Sequence, residues 1–206
     1  MPDALPHTFY DRDPALVARE MLGMHLVMRD PDGHDLRARI VETEAYLGPH
    51  DPACHAVAGR TQRTRHLHGP PGQAYVYRIY GMHWCINAVT LPEGIGSAVL
   101  LRAVEPIGDL DRLRVRRPAA RRDRDLTSGP GKLCAAYGIT GAHDGTSLQS
   151  GPVRIVQGSA VHDADVVVTP RIGITRAADW PLRFLEKGNP FVSATPKSFA
   201  ITPYQP

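Results

Sequence analysis

The stretch Tyr75–Thr90, YVYRIYGMHWCINAVT, constrains this chain more than any other. Two short runs rich in aromatic and β-branched residues flank Gly81, a pattern that predicts a β-hairpin: such side chains suit a pleated surface, and glycine takes the positive φ of a tight turn cheaply. Tyr80 then stands beside the tip, where there is little core to pack against. A polar-tipped ring on a rigid hairpin can wedge between stacked bases, as proteins that unstack DNA require. It can equally pack on a neighbouring loop, and the hairpin alone leaves both readings open.

Elements before and after the hairpin are legible from local signals. Asp13-Pro14 starts a helix, because aspartate caps free N–H groups and proline suits the first turn. Leu16, Val17, Met21 and Leu22 keep helical spacing until Gly23. His25–Met28 and Leu36–Thr43 read as strands around the Asp30-Pro31-Asp32-Gly33 turn, and residues 47–73 as a loop rich in Gly, Pro, His and Arg. Ser97–Val104, Val153–Val156, Val166–Thr169 and Leu182–Leu185 are further strands. Strands dominate without βαβ alternation, so the expected fold class is α+β: a single domain over 1–206 with a curved, mostly antiparallel, barrel-like sheet, flanking helices and a protruding hairpin.

Charge is concentrated. Between Pro106 and Leu126 seven arginines face four aspartates, which accounts for the whole formal charge of +3. That segment reads as helix plus exposed loop. It is either a phosphate-binding surface, since arginine's planar fork bonds two oxygens at once, or a solvated face laced with Asp–Arg pairs. A second basic cluster, GRTQRTRHLH, holds Arg60, Arg63, Arg65, His66 and His68. Cys54, Cys85 and Cys134 are too few and too widely spaced for a disulfide framework or zinc knuckle, which fits a reducing compartment. Neither a membrane-spanning apolar run nor a secretory layout is present, and a bacterial cytoplasmic, nucleoid-associated location is expected.

The candidate chemistry lies at the end of the second strand, Val41-Glu42-Thr43-Glu44-Ala45-Tyr46. Side chains alternate faces, so Glu42, Glu44 and Tyr46 share one side. A carboxylate where a strand meets a long loop could act as a general base on water, or be an ordinary surface glutamate. The His50-x4-His55 spacing has no second cluster to complete a metal site. Ser128-Gly129-Pro130-Gly131-Lys132 is not a Walker loop, because Leu133 follows the lysine and Leu126 holds the upstream glycine position. As a turn, it offers Gly131 and Lys132 to a DNA phosphate.

Six ordered blocks resemble one family: RIVETEAYLGPHDPACH (39–55), GPPGQAYVYRIYGMHWCINAVT (69–90), VLLRAVEP (99–106), LTSGPGKLCAAYGI (126–139), RIGIT (171–175) and PLRFLEKGNPFVS (181–193). They resemble the alkyladenine (methylpurine) DNA glycosylases, also called 3-methyladenine DNA glycosylases of the mammalian type. The resemblance implies a monofunctional enzyme of base excision repair that flips an alkylated or deaminated purine from double-stranded DNA. Water then attacks the sugar C1′ and an abasic site remains. By the same resemblance Glu44 is the general base and Arg102 helps hold the water and carboxylate. The backbone around Arg171 and Ile172 lends a carbonyl, and Tyr46, His55 and Tyr77, with Ala45 and Ile172, form the base pocket. Tyr80, with Gly81 and Met82, fills the gap in the duplex, while Asn87 guards against guanine's amino group. Arg63, Arg65, Lys132 and Gly131 are the expected phosphate contacts.

Physical chemistry supports each role. A base inside a duplex shields its own glycosidic bond and must be extruded, at a cost of a few kcal/mol. Electron-rich rings favour a cationic alkylated base by about 0.5–2 kcal/mol each. His55 can donate a hydrogen bond that a normal adenine amino group could not accept. With only three lysines in the chain, water rather than a Schiff-base amine is the expected nucleophile. No metal or redox cofactor is expected, and a monomer that does not engage membranes is. The loop Arg63–His68, His83 and the 106–126 segment depart from the family pattern, which touches DNA contacts rather than the hydrolytic centre. Two other classes stay open: a catalytically silent binder of damaged DNA, which would need neither Glu44 nor Arg102, and a hydrolase of free nucleosides, which would need no wedge.

Overall fold

Local signals set the first elements of the computed structural model, which describes residues 3–205. Two short helices, α1 (His7–Tyr10) and α2 (Pro14–Glu20), come first. Asp13 caps α2 by accepting from the amides of Ala15 (2.8 Å) and Leu16 (3.2 Å), with Pro14 in the first turn. The remaining elements are β1 (His25–Arg29), β2 (Asp35–Tyr46), β3 (Ala74–Ile79), β4 (His83–Thr90), β5 (Ser97–Ile107), α3 (Leu110–Arg116), α4 (Pro130–Tyr137), β6 (Val153–Val156), β7 (Val166–Thr169), β8 (Arg183–Glu186) and β9 (Thr202–Pro203). The fold is α+β, as expected. Residues 1, 2 and 206 of the expected single domain lie outside the described residues.

The nine strands form one sheet in the order β3-β4-β5-β2-β8-β7-β9, with β1 paired to β2 and β6 to β1. Every pairing of named strands is antiparallel. Among the described residues no pairing joins the sheet's ends, so the barrel-like expectation becomes an open sheet. β2 is its spine. One edge of β2 pairs with β5 along most of its length, while the other pairs first with β1 and then, over Glu42–Glu44, with β8. Burial alternates along the first half of β2 and becomes continuous from Ile40 to Ala45, because both faces are covered there. Thr43 faces α2, its hydroxyl donating to the Ala18 carbonyl at 2.8 Å. Glu42 and Glu44 therefore point to the opposite face, into the protein.

Several boundaries differ from expectation for one reason: partner strands extend them. β2 runs to Tyr46 rather than Thr43 because Tyr46 still pairs with Ala98, and β5 runs to Ile107 because it pairs back to Arg37. The Ser128–Lys132 segment is not a free turn. Pro130 starts α4, so Gly131 and Lys132 stand in its first helical turn. In the 106–126 segment, α3 and a short 3-10 turn (Asp123–Leu126) hold arginines mostly paired to aspartate. Arg112 binds Asp32 (2.7 Å), Arg116 binds Asp30 (2.6 Å), Arg114 binds Asp111 (3.0 Å) and Asp123 (2.5 Å), and Arg122 binds Asp125 (3.0 Å). Of the two sequence readings, the Asp–Arg-laced face is the one this geometry displays.

Candidate active site

Glu44 is fully buried, as is Glu42 two residues before it. The β2–β5 ladder is irregular between Ile40 and Thr43, and Arg102 drops out of the register at that point. Its guanidinium spans both carboxylates, with Nε 3.1 Å from Glu42 Oε1 and Nη1 3.2 Å from Glu44 Oε1. Burial lowers the Arg102 pKa, but Glu44 and Glu42 outweigh it and raise the pKa above its ordinary value. Glu44 Oε1 also accepts the Ile172 amide N–H at 2.8 Å, and Oε2 accepts the Tyr46 hydroxyl at 3.0 Å. A carboxylate offers about four acceptor positions, so the two hydrogen bonds from Ile172 and Tyr46 leave room for a water beside the Arg102 ion pair. Ile172 thus contributes its amide to the carboxylate.

Glu42 is a buried anchor. It accepts from Arg102 Nε, from Arg183 Nε (2.6 Å), and from the amide and hydroxyl of Ser193 (both 2.7 Å). Sequence reasoning grouped Glu42 with Glu44 but missed Arg183 and Ser193, because 141 and 151 residues of chain separate them from Glu42. It also missed the pair behind Tyr46. There Arg171 clasps Asp51 through both terminal nitrogens (Nη2 to Oδ1 2.8 Å), and Arg171 Nη1 donates to the Ala45 carbonyl at 3.0 Å.

Next to Glu44 lies a pocket, open to solvent, lined by Tyr46, Cys54, His55, Leu67, Tyr75, Tyr77, Asn87 and Ala98. The His55 and Tyr77 rings meet at 4.5 Å with an interplanar angle of 69°. The ring nitrogen His55 Nδ1 is 2.9 Å from the Tyr75 hydroxyl. Burial first, then the charge of Arg63, lowers the His55 pKa, which favours a neutral ring. Burial holds the Tyr46 and Tyr77 phenols well above their ordinary range and pushes the Cys85 thiol up to about 11. These groups stay protonated, as donors and walls rather than competing nucleophiles.

Two expected pocket residues sit elsewhere. Ala45 points away from Tyr46 into the main core, as strand alternation requires, and Ile172 is not in the lining. Asn87 is a buried pocket wall, its amide donating to the Tyr75 carbonyl at 3.0 Å.

The hairpin ends in a tight turn closed by Met82 N–H donating to the Ile79 carbonyl at 3.2 Å. Its central residues Tyr80 and Gly81 have φ of 51° and 70°, the sign pattern of a type I′ turn. A non-glycine residue seldom sits at positive φ; here it presents Tyr80 at 80 % exposure and Met82 at 68 %. Arg63 and Arg65 are exposed in the loop beside the hairpin. Arg63 reaches the Arg78 carbonyl at 3.4 Å, and its guanidinium lies 5.8 Å from the Tyr77 ring. Lys132 Nζ is 3.3 Å from Ser128 Oγ. Gly131 lets α4 approach the hairpin: a Cβ there would come 3.0 Å from His83. Among the described residues no cluster of three His, Cys, Asp or Glu is arranged to hold a metal, and no helix is long and apolar enough to cross a membrane.

Comparison with known proteins converges on one family. The methylpurine-DNA glycosylase family model matches residues 8–190. A protein of Methanoculleus marisnigri is 48% identical over 192 residues, covering 92% of this chain and 98% of its own. Another from Methanocella arvoryzae is 47% identical over 193 residues (92% and 95%), and one from Legionella pneumophila strain Corby is 45% identical over 194 (93% and 98%). All three are provisionally named 3-methyladenine DNA glycosylase. The chain therefore belongs to the methylpurine-DNA glycosylase family, DNA-repair enzymes that hydrolyse N-glycosyl bonds.

Proposed function

We propose that this protein flips alkylated or deaminated purines (3-methyladenine, 7-methylguanine, hypoxanthine, ethenoadenine) out of duplex DNA and hydrolyses the bond to C1′. The observation that carries this reading is the adjacency of three parts. A fully buried carboxylate, Glu44, sits beside an aromatic pocket, and one wall of that pocket, Tyr77, shares a strand with the exposed tip that bears Tyr80.

In this reading Tyr80 enters the duplex and offsets part of the unstacking cost. The base lodges among Tyr46, Tyr77 and His55, with Asn87 opposing guanine's amino group. Glu44, held by hydrogen bonds from Ile172 and Tyr46 and paired with Arg102, takes a proton from a water at a remaining acceptor position. That water adds to C1′, the purine leaves, and the DNA strand stays intact at an abasic site. None of the three lysines lines the pocket, which supports water as nucleophile over a Schiff base. Arg63, Arg65, Lys132 and Gly131 contact phosphates, and one copy acts alone, in the nucleoid of a bacterial cytoplasm.

Product analysis tests the reaction type. A lesion-bearing duplex treated with the protein should break only after alkali, and borohydride should trap no covalent adduct. Strand cleavage without alkali, or a trapped adduct, would overturn the monofunctional assignment.

A further inference from the structure

Arg171 is a large side chain with no exposure, and the reaction outlined above gives its guanidinium no task. It binds Asp51, itself fully buried, and its Nε has no partner among the described residues. The guanidinium carbon lies 4.7 Å from the centroid of the Tyr46 ring. Tyr46 lines the pocket and Arg171 does not, so the cation backs the ring from behind. The other tyrosine wall also has a cation near it: Arg63, likewise outside the lining, lies 5.8 Å from the Tyr77 ring.

A ring attracts a cation through the negative potential of its face. A guanidinium on the rear face draws on the same π electrons, so the front face attracts a second cation less than an unbacked ring would. Asp51 offsets the charge of Arg171, but the charge in contact with the ring is positive. We propose that the Arg171–Asp51 pair sets the charge preference of the base pocket, tempering the Tyr46 wall so that neutral lesion bases are held nearly as well as cationic ones. Arg171 is thus a specificity-determining residue that acts through Tyr46. This inference rests on the reading that the pocket receives a flipped purine.

The test is a ratio of single-turnover release rates from otherwise identical duplexes, one with 7-methylguanine (cationic) and one with hypoxanthine (neutral). A ratio cancels changes in active fraction, which both bases share. Asp51→Asn with Arg171→Met removes both charges and should raise the cationic-to-neutral ratio about threefold or more, within the range of one cation–π contact. Asp51→Asn alone leaves the cation without its counter-charge and should lower the ratio. Arg63→Gln, at an exposed position that does not threaten folding, should raise the ratio in the same direction as the double variant. Ratios that stay at the wild-type value, or move in the same direction for Asp51→Asn and the double variant, overturn the inference while leaving the glycosylase reading intact. If the wild-type protein releases neither base, the glycosylase reading fails and takes the inference with it.

Discussion

At the scale of single residues, exposure and burial assign different costs to the two most informative side chains. Tyr80 is largely exposed on the tip, so truncating it removes little folding energy. Tyr80→Ala should weaken binding to a lesion duplex by about 5- to 150-fold, from the 1–3 kcal/mol that one stacked ring contributes. Its melting temperature should stay within about 2 °C of wild type, as calorimetry and binding titration would show. Equal loss of binding and stability would mean that the ring packs on the protein instead. His55 carries a signed pH effect. Burial, then Arg63, lowers its pKa in the folded state, so the unfolded chain binds its proton first as pH falls. The stability His55 contributes is therefore present above the ordinary histidine value of about 6.5 and is lost as pH drops toward the folded value. Denaturant titrations of wild type and His55→Gln at pH 7.5 and 5 should show wild type losing more stability than the variant between the two.

At the scale of elements, β2 shows what sequence could and could not disclose. The alternation of Glu42, Glu44 and Tyr46 was readable because strand geometry has period two, and the hairpin was readable because Gly81 marks its turn. What held the carboxylates was not readable: Arg183 and Ser193 reach Glu42 from β8 and the segment after it, contacts that only the tertiary fold creates. The helical start at Pro130 had a local signal, proline in a first turn, but the glycines around it favoured reading a turn. Breaking the Glu42 anchor should be costly. Glu42→Gln leaves Arg102 and Arg183 short of counter-charge, and loss of one partner of a buried pair costs about 3–5 kcal/mol, a fall in melting temperature of about 6–20 °C. A smaller fall would mean that water or repacking compensates the site. The two arginine-rich segments also separate. Those of 106–126 are mostly spent on aspartates, whereas Arg63 and Arg65 stand exposed beside the hairpin. Arg63→Gln or Arg65→Gln should reduce the slope of log affinity against log salt by about 1 for each lost phosphate contact. Arg112→Gln should leave that slope unchanged.

At the scale of the whole molecule, one open antiparallel sheet carries a buried carboxylate, an aromatic pocket and an exposed tip. β2 supplies Glu44 and Tyr46, β3 supplies Tyr77 and leads to Tyr80, β5 supplies Arg102, and the chain after β7 returns to place Ile172 on Glu44. Family membership was legible in the sequence because its blocks keep their order over nearly the whole chain. The division of labour among buried ion pairs was not, since it depends on which side chains share a dielectric interior. The central claim is that Glu44 activates the water, and it has a direct test. Wild type and Glu44→Gln are compared in single-turnover excision from a duplex carrying hypoxanthine or 3-methyladenine, with alkali revealing abasic sites and binding measured alongside. Glu44→Gln should bind as wild type does and lose about 10²-fold or more of its excision rate. Excision by Glu44→Gln at the wild-type rate would remove Glu44 as the base, and equal binding with no base released by either protein would make this a silent binder of damaged DNA.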